Sequence, residues 1–222
     1  MAGERFRLTI KLTETDAQIE TKILKSLSKK VNKNLKKRGA AAMESLREDF
    51  RKWVYDCPAL VELRSASKLR GDLGLTSTRA ASASDAIASA VAQTLKIGYK
   101  QWDKKLTGGY LTINIQPSSF SNVLGQSWAG YNTEKGENIP WLSWLLTRGD
   151  DVIITGYEVE YGNFGRSGQG RMTGDGTGGG MAFRVNSRFS GTTDRNFITE
   201  ALTSRDRIKI IRDRLVRFLN GK

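Results

Sequence analysis

A glycine-rich segment constrains this chain more than any other feature of its sequence. Residues 162–180 contain nine glycines in nineteen positions, between two segments, 151–161 and 181–185, whose alternation is typical of β-strands. Because glycine loses more conformational freedom on folding than any other residue, ordering such a segment is unfavourable without a partner. The pattern predicts a loop that is mobile in the free subunit and becomes ordered on assembly. The residues that this loop is expected to contribute to an interface are Arg166, Arg171 and Met172.

Strand and helix periods elsewhere in the chain predict an α+β fold. Alternating apolar and polar residues indicate further strands at 5–13 and 110–116. With the two strands that flank the glycines, they predict one mainly antiparallel sheet of about four to five strands. A long N-terminal helix and a C-terminal helix are expected to pack on this sheet. Residues 1–58 would hold the first strand and the long helix, and residues 59–222 the rest of what is expected to be one compact unit.

The long helix follows the first strand and is basic. Thr13 or Thr15 suits its N-cap, with Asp16 or Gln18 three residues on. Gly39 is a candidate bend, because glycine weakens a helix interior. Every fourth residue in the first half is apolar, which defines an apolar stripe for packing on the domain or on a partner helix: Ile19, Ile23, Leu27, Val31 and Leu35.

Three further helices are predicted after the long one. Ser84 and Asp85 are expected to open a helix that continues to Trp102, and Pro140 suits the first turn of a short helix. The last helix is expected to run without a break to Gly221. Its candidate caps are Thr192, Thr193 and Asp194, and its apolar face is Phe197, Ala201, Ile208, Ile211, Leu215 and Phe218.

Positive charge is concentrated in the long helix. The chain of 222 residues has a net charge of +13, and residues 22–38 alone carry eight Lys or Arg and no acid. Such a field attracts phosphate or an acidic protein surface, while the simpler interpretation is a solvated helix face. A lysine is a point charge suited to phosphates and carboxylates rather than to base edges, which favours sequence-independent contacts. The residues expected to make them are Lys22, Lys25, Lys29, Lys33 and Lys36.

Several classes of active site are disfavoured by composition. The chain has no histidine and a single cysteine, Cys57, so a Cys–His nucleophile and the usual Cys/His zinc sites are excluded. The glycine-rich segment lacks the closing lysine and the helix start of a phosphate loop. No apolar run is long enough for a membrane span, and the charged N-terminus does not resemble a secretory signal. We therefore expect neither an enzyme nor a cofactor or metal site.

The tryptophan pair Trp141 and Trp144 has three interpretations. Aromatic side chains stack bases in proteins that bind single strands, but these two lie in an apolar run with three leucines. Core packing or a buried contact between subunits is favoured over base stacking. Both residues are therefore included among the expected interface positions.

Residues 139–202 resemble the minor tail or neck proteins of long-tailed bacteriophages, the group around the lambda-like minor tail protein Z. The resemblance rests on the order of several short pieces rather than on one signature. These pieces are IPWLSWLL at 139–146, GYEV at 156–159, GRSG at 165–168 leading to Met172, FRV at 183–185, FSGT at 189–192 and NFI at 196–198. The basic helix and the sequence LRGDLGL at 69–75 also look like that group, so the similarity covers about two thirds of the chain.

The resemblance implies a structural role without cofactor or catalytic residues. It implies a subunit of a ring at the head–tail junction or the top of the tail, located in the virion and, before assembly, in the host cytoplasm. The expected partners are further copies of the chain, other phage neck, connector or tail proteins, and packaged DNA through non-specific electrostatics. The alternative that the residues leave open is a sequence-independent nucleic-acid-binding module that uses the basic helices.

Overall fold

The computed structural model describes residues 14–65, 67–117, 119–132, 136, 138–149, 151–163, 170–174 and 181–220. The predicted strand at 5–13 lies outside them. The α-helices are α1 (Asp16–Tyr55), α2 (Pro58–Arg64), α3 (Lys68–Asp72), α4 (Ser77–Gln93), α5 (Ser121–Leu124), α6 (Trp141–Thr147), α7 (Phe197–Thr203) and α8 (Arg205–Asn220). The strands are β1 (Lys96–Lys100), β2 (Tyr110–Asn114), β3 (Tyr131–Asn132), β4 (Asn138–Ile139), β5 (Ile154–Tyr161), β6 (Gly170–Gly174) and β7 (Met181–Phe183).

The fold mixes helices with small antiparallel sheets, as the α+β prediction requires, but the single sheet of four to five strands is not confirmed. Among the described residues, β1 pairs with β2, β3 pairs with β4, and β5 lies between β6 and β7. The strands at 110–116, 151–161 and 181–185 are each present in shortened form. The first of them, β2, belongs to one sheet, whereas β5 and β7 pair with each other in another.

Helix α1 is 40 residues long and continuous. The Thr15 hydroxyl accepts from the Gln18 backbone N–H, and the Gln18 side chain accepts from the Thr15 N–H, which completes the predicted capping box. Gly39 does not interrupt the helix; it lies opposite the ring of Phe218 from α8. At about 1.5 Å per residue, α1 is about 60 Å long.

The hydrophobic core forms around the C-terminal half of α1. Leu46, Phe50 and Val54 on α1 are almost completely buried and belong to one cluster with α2, α4, α6 and α7. Residues before and after Pro58 therefore share a core. The largest fully buried members of the cluster outside α1 are Leu60, Leu63, Leu73, Leu75, Ile87, Leu95, Phe120, Trp141 and Leu142.

Helix α4 begins earlier and ends earlier than predicted. Thr76 caps it by accepting from the Arg79 backbone N–H, and it ends at Gln93 instead of Trp102. The alanine and serine residues of the segment pack closely, with Ala80, Ala83 and Ser84 fully buried, so the helix already begins before Ser84. Strand β1 then replaces the predicted last turns, because it pairs with β2.

The C-terminal helix is divided in two and packs on α1, not on a sheet as predicted. Ser204 has an extended backbone and separates α7 from α8. The cap of α7 is Asn196 rather than the three predicted residues: its buried side chain accepts from the Ile198 and Thr199 backbone N–H groups. Phe218 of α8 is buried, whereas Ile208, predicted on the same face, is 53% exposed.

Candidate assembly and nucleic-acid interface

The five predicted lysines form a single exposed row on α1. Lys22, Lys25, Lys29, Lys33 and Lys36 are all exposed. Their successive spacings are three, four, four and three residues, so they lie on one side of the helix over about 21 Å. Lys22 forms an ion pair with Glu14 near the helix start. We call these five residues the lysine row.

The apolar stripe beside the lysine row is only partly covered. Ile23 is 53% exposed and Leu27 is 44% exposed, whereas Leu35 at the far end of the stripe is 2% exposed. Ile19 and Val31 are half-buried. Of the two predicted alternatives, packing on the domain holds near Leu35, whereas large apolar side chains meet solvent toward the helix start.

A β-hairpin is fixed to α1 next to the lysine row. The Asn32 side-chain amide donates to the Trp102 carbonyl at 2.8 Å, and its oxygen accepts from the Trp102 backbone N–H at 3.0 Å. The Asn32 amide thus donates to and accepts from the backbone of one residue, as a residue of a neighbouring antiparallel strand does in a hydrogen-bonded pair. Gly109 lies against the Trp102 ring, where a Cβ would come within 2.2 Å of a ring carbon. The end of β1 is therefore held against the middle of α1.

 A cleft lies where the hairpin meets α1. The cleft has a volume of about 640 Å³ and is open to solvent. Its lining is Lys29, Asn32, Lys33, Lys36, Lys37 and Gln101, and we call it the lysine cleft. Four of these six side chains are cationic and none is acidic, so the cleft is suited to an anion.

The hairpin is the part of this surface that the sequence prediction missed. Residues 96–102 were expected to continue a helix, which would have placed Lys100 and Gln101 elsewhere. The signal for a strand was the alternation around Gly98 together with the turn at Gly108 and Gly109. Lys100 pairs with Tyr110 across the two strands, and Tyr110 is 56% exposed.

Trp141 and Trp144 are buried in the core of the chain, as the core-packing alternative predicts. Trp141 is 0% exposed, and its indole N–H donates to the Trp128 carbonyl at 3.1 Å. Trp144 is 8% exposed. The structure supports the core interpretation, since both side chains are buried within the chain itself.

The glycine-rich segment is not a loop throughout. Gly170–Gly174 forms β6, in which Arg171 is opposite Glu160 and Met172 is opposite Val159 of β5. Strand pairing satisfies the backbone of this stretch, which the count of glycines alone did not predict. Arg166 lies outside the described residues.

The described part of the chain contains neither a metal-binding cluster nor an exposed thiol. No group of three or more Cys, Asp or Glu residues capable of holding a metal ion occurs there. Cys57 is 2% exposed, and burial raises the pKa of its thiol, which disfavours the reactive thiolate. None of the helices in the described ranges is long and apolar enough to cross a membrane.

Comparisons with known proteins give no family for this chain. No protein-family model, no curated protein and no solved structure matches it. Its function is therefore argued from the surface formed by the lysine row, the apolar stripe and the hairpin.

Proposed function

We propose that the chain is a structural virion protein of a tailed bacteriophage, a neck or tail-completion subunit that forms part of a ring at the head–tail junction. The observation that carries this proposal is the uncovered part of the apolar stripe on α1. The expected partners are further copies of the chain and other neck, connector or tail proteins. No catalytic step is part of the role.

The uncovered stripe favours a protein contact because of where it lies. Ile23 and Leu27 expose large aliphatic side chains on a regular helix, while the other end of the same helix is buried in the core. Exposed apolar side chains at helical spacing are typical of a helix that packs on a partner. The neighbouring lysines keep such a surface soluble until the partner arrives.

The proposal predicts rings that depend on the stripe. Negative-stain microscopy of the concentrated protein should show closed rings for the wild type and only single subunits for the double variant Ile23→Gln and Leu27→Gln. Both positions are exposed, so circular dichroism of the variant should match the wild type. A gold-labelled antibody should mark the neck of phage particles.

Val61→Gln with Val216→Gln is the matched control, because these side chains are 46% and 50% exposed and lie outside the stripe. Rings should persist in this control. The proposal would be overturned if the wild-type protein stays monomeric at every concentration and the gold-labelled antibody marks no part of a virion.

A further inference from the structure

Two segments far apart in sequence together carry most of the net charge. Residues 22–38 contribute eight positive charges, and residues 96–114 contribute four lysines and one aspartate. With a net charge of +13 for the whole chain, the remaining residues are close to neutral. The bonds between Asn32 and Trp102 bring the two segments together at the lysine cleft.

The positive charge at this place has few internal counterions. Within the described ranges, no carboxylate lies within ion-pair distance of Lys29, Lys33 or Lys36. The acid of the hairpin, Asp103, is engaged in its own turn. Its carboxylate accepts from the Thr107 hydroxyl and from the Thr107 and Lys105 backbone N–H groups, and these bonds lower its pKa.

Repeated like charges weaken a helix unless something compensates them. Lys25, Lys29 and Lys33 are spaced four residues apart, a separation at which like charges destabilise a helix. A bound polyanion compensates this repulsion, and the lysines that neutralise its charges release the counterions condensed on it.

We infer that the lysine cleft and the lysine row bind the phosphate backbone of double-stranded DNA, with the hairpin forming the second wall of the site. The row provides point charges along about 21 Å of helix, which suits a regular line of phosphates. Gln101 supplies an uncharged hydrogen-bonding group from the hairpin side. This inference deepens the proposed function, on which it rests, by naming DNA as a partner. DNA binding is expected already for the isolated subunit, before any ring forms.

The test is fluorescence anisotropy with a labelled duplex of arbitrary sequence, titrated at several salt concentrations. Wild type should bind without sequence preference, and its affinity should fall steeply with salt. The triple variant Lys29→Gln, Lys33→Gln and Lys36→Gln should bind at least about tenfold more weakly at low salt, and its salt slope should be smaller by about 3. The matched control removes three positive charges elsewhere: Lys52→Gln, Lys209→Gln and Arg212→Gln.

A single substitution tests the hairpin wall. Gln101→Glu places a carboxylate in the cleft and should weaken DNA binding several-fold, whereas Gln126→Glu, outside the cleft, should not. Equal loss in the triple variant and its charge-matched control would overturn the site, as would tighter binding of polyglutamate than of DNA. Because the isolated subunit is used, DNA binding without rings would refute only the ring proposal, and rings without DNA binding only this inference.

Discussion

Gly191 and Gly39 differ in the space available for a side chain. A Cβ on Gly191 would lie 2.5 Å from the Asn196 Cβ and 3.0 Å from the Leu145 carbonyl oxygen, whereas on Gly39 the nearest atom would be 4.0 Å away. We therefore expect Gly191→Ala to lower the free energy of unfolding by about 1–3 kcal/mol. Gly39→Ala should raise it by about 0.5–1 kcal/mol, because alanine is the better helix former. Urea unfolding of both variants measures the two shifts, and equal signs would contradict this account.

Helix α8 is held on α1 by a few side chains at its C-terminal end. The Asn34 amide donates to the Leu219 carbonyl at 2.8 Å, Arg214 pairs with Asp49 at 2.7 Å, and Phe218 is buried. Phe218→Ala should lower the free energy that holds α8 on α1 by about 3 kcal/mol, because the buried ring is lost. We expect α8 to detach as a result. In a hydrogen-exchange measurement, the backbone amides of residues 205–220 should then lose their protection, whereas those of α7 should keep it. Val216→Ala, at a 50% exposed position, should leave the exchange pattern unchanged.

Local patterns predicted helices better than they predicted which elements meet. The short helix after Pro140 follows from nearby residues and was predicted correctly, and the observed cap, Thr15, is one of the two predicted candidates. The hairpin that Asn32 holds depends on a contact between residues 70 positions apart, which no local period contains. The lysine row could likewise be read from spacing, but its pairing with Gln101 could not.

The whole molecule is expected to unfold as one unit around Cys57. The thiol is buried in the cluster that joins α1 to α7, and burial raises its pKa. The native state therefore favours the protonated thiol. The contribution of Cys57 to the free energy of unfolding is complete below the ordinary thiol pKa, and it declines as pH rises above that pKa. Thiol labelling in urea should have the same midpoint as tryptophan fluorescence. Complete labelling before any change in fluorescence would show that this part of the core opens separately.

The length of α1 also has a mechanical consequence. One end of this helix is embedded in the core through Phe50 and Val54, and the other carries the lysine row. With no break at Gly39, the helix acts as a stiff rod of about 60 Å. A sideways load on the lysine row is therefore converted into torque about the buried end, and the bonds between Asn32 and Trp102 act as a brace part of the way along the lever.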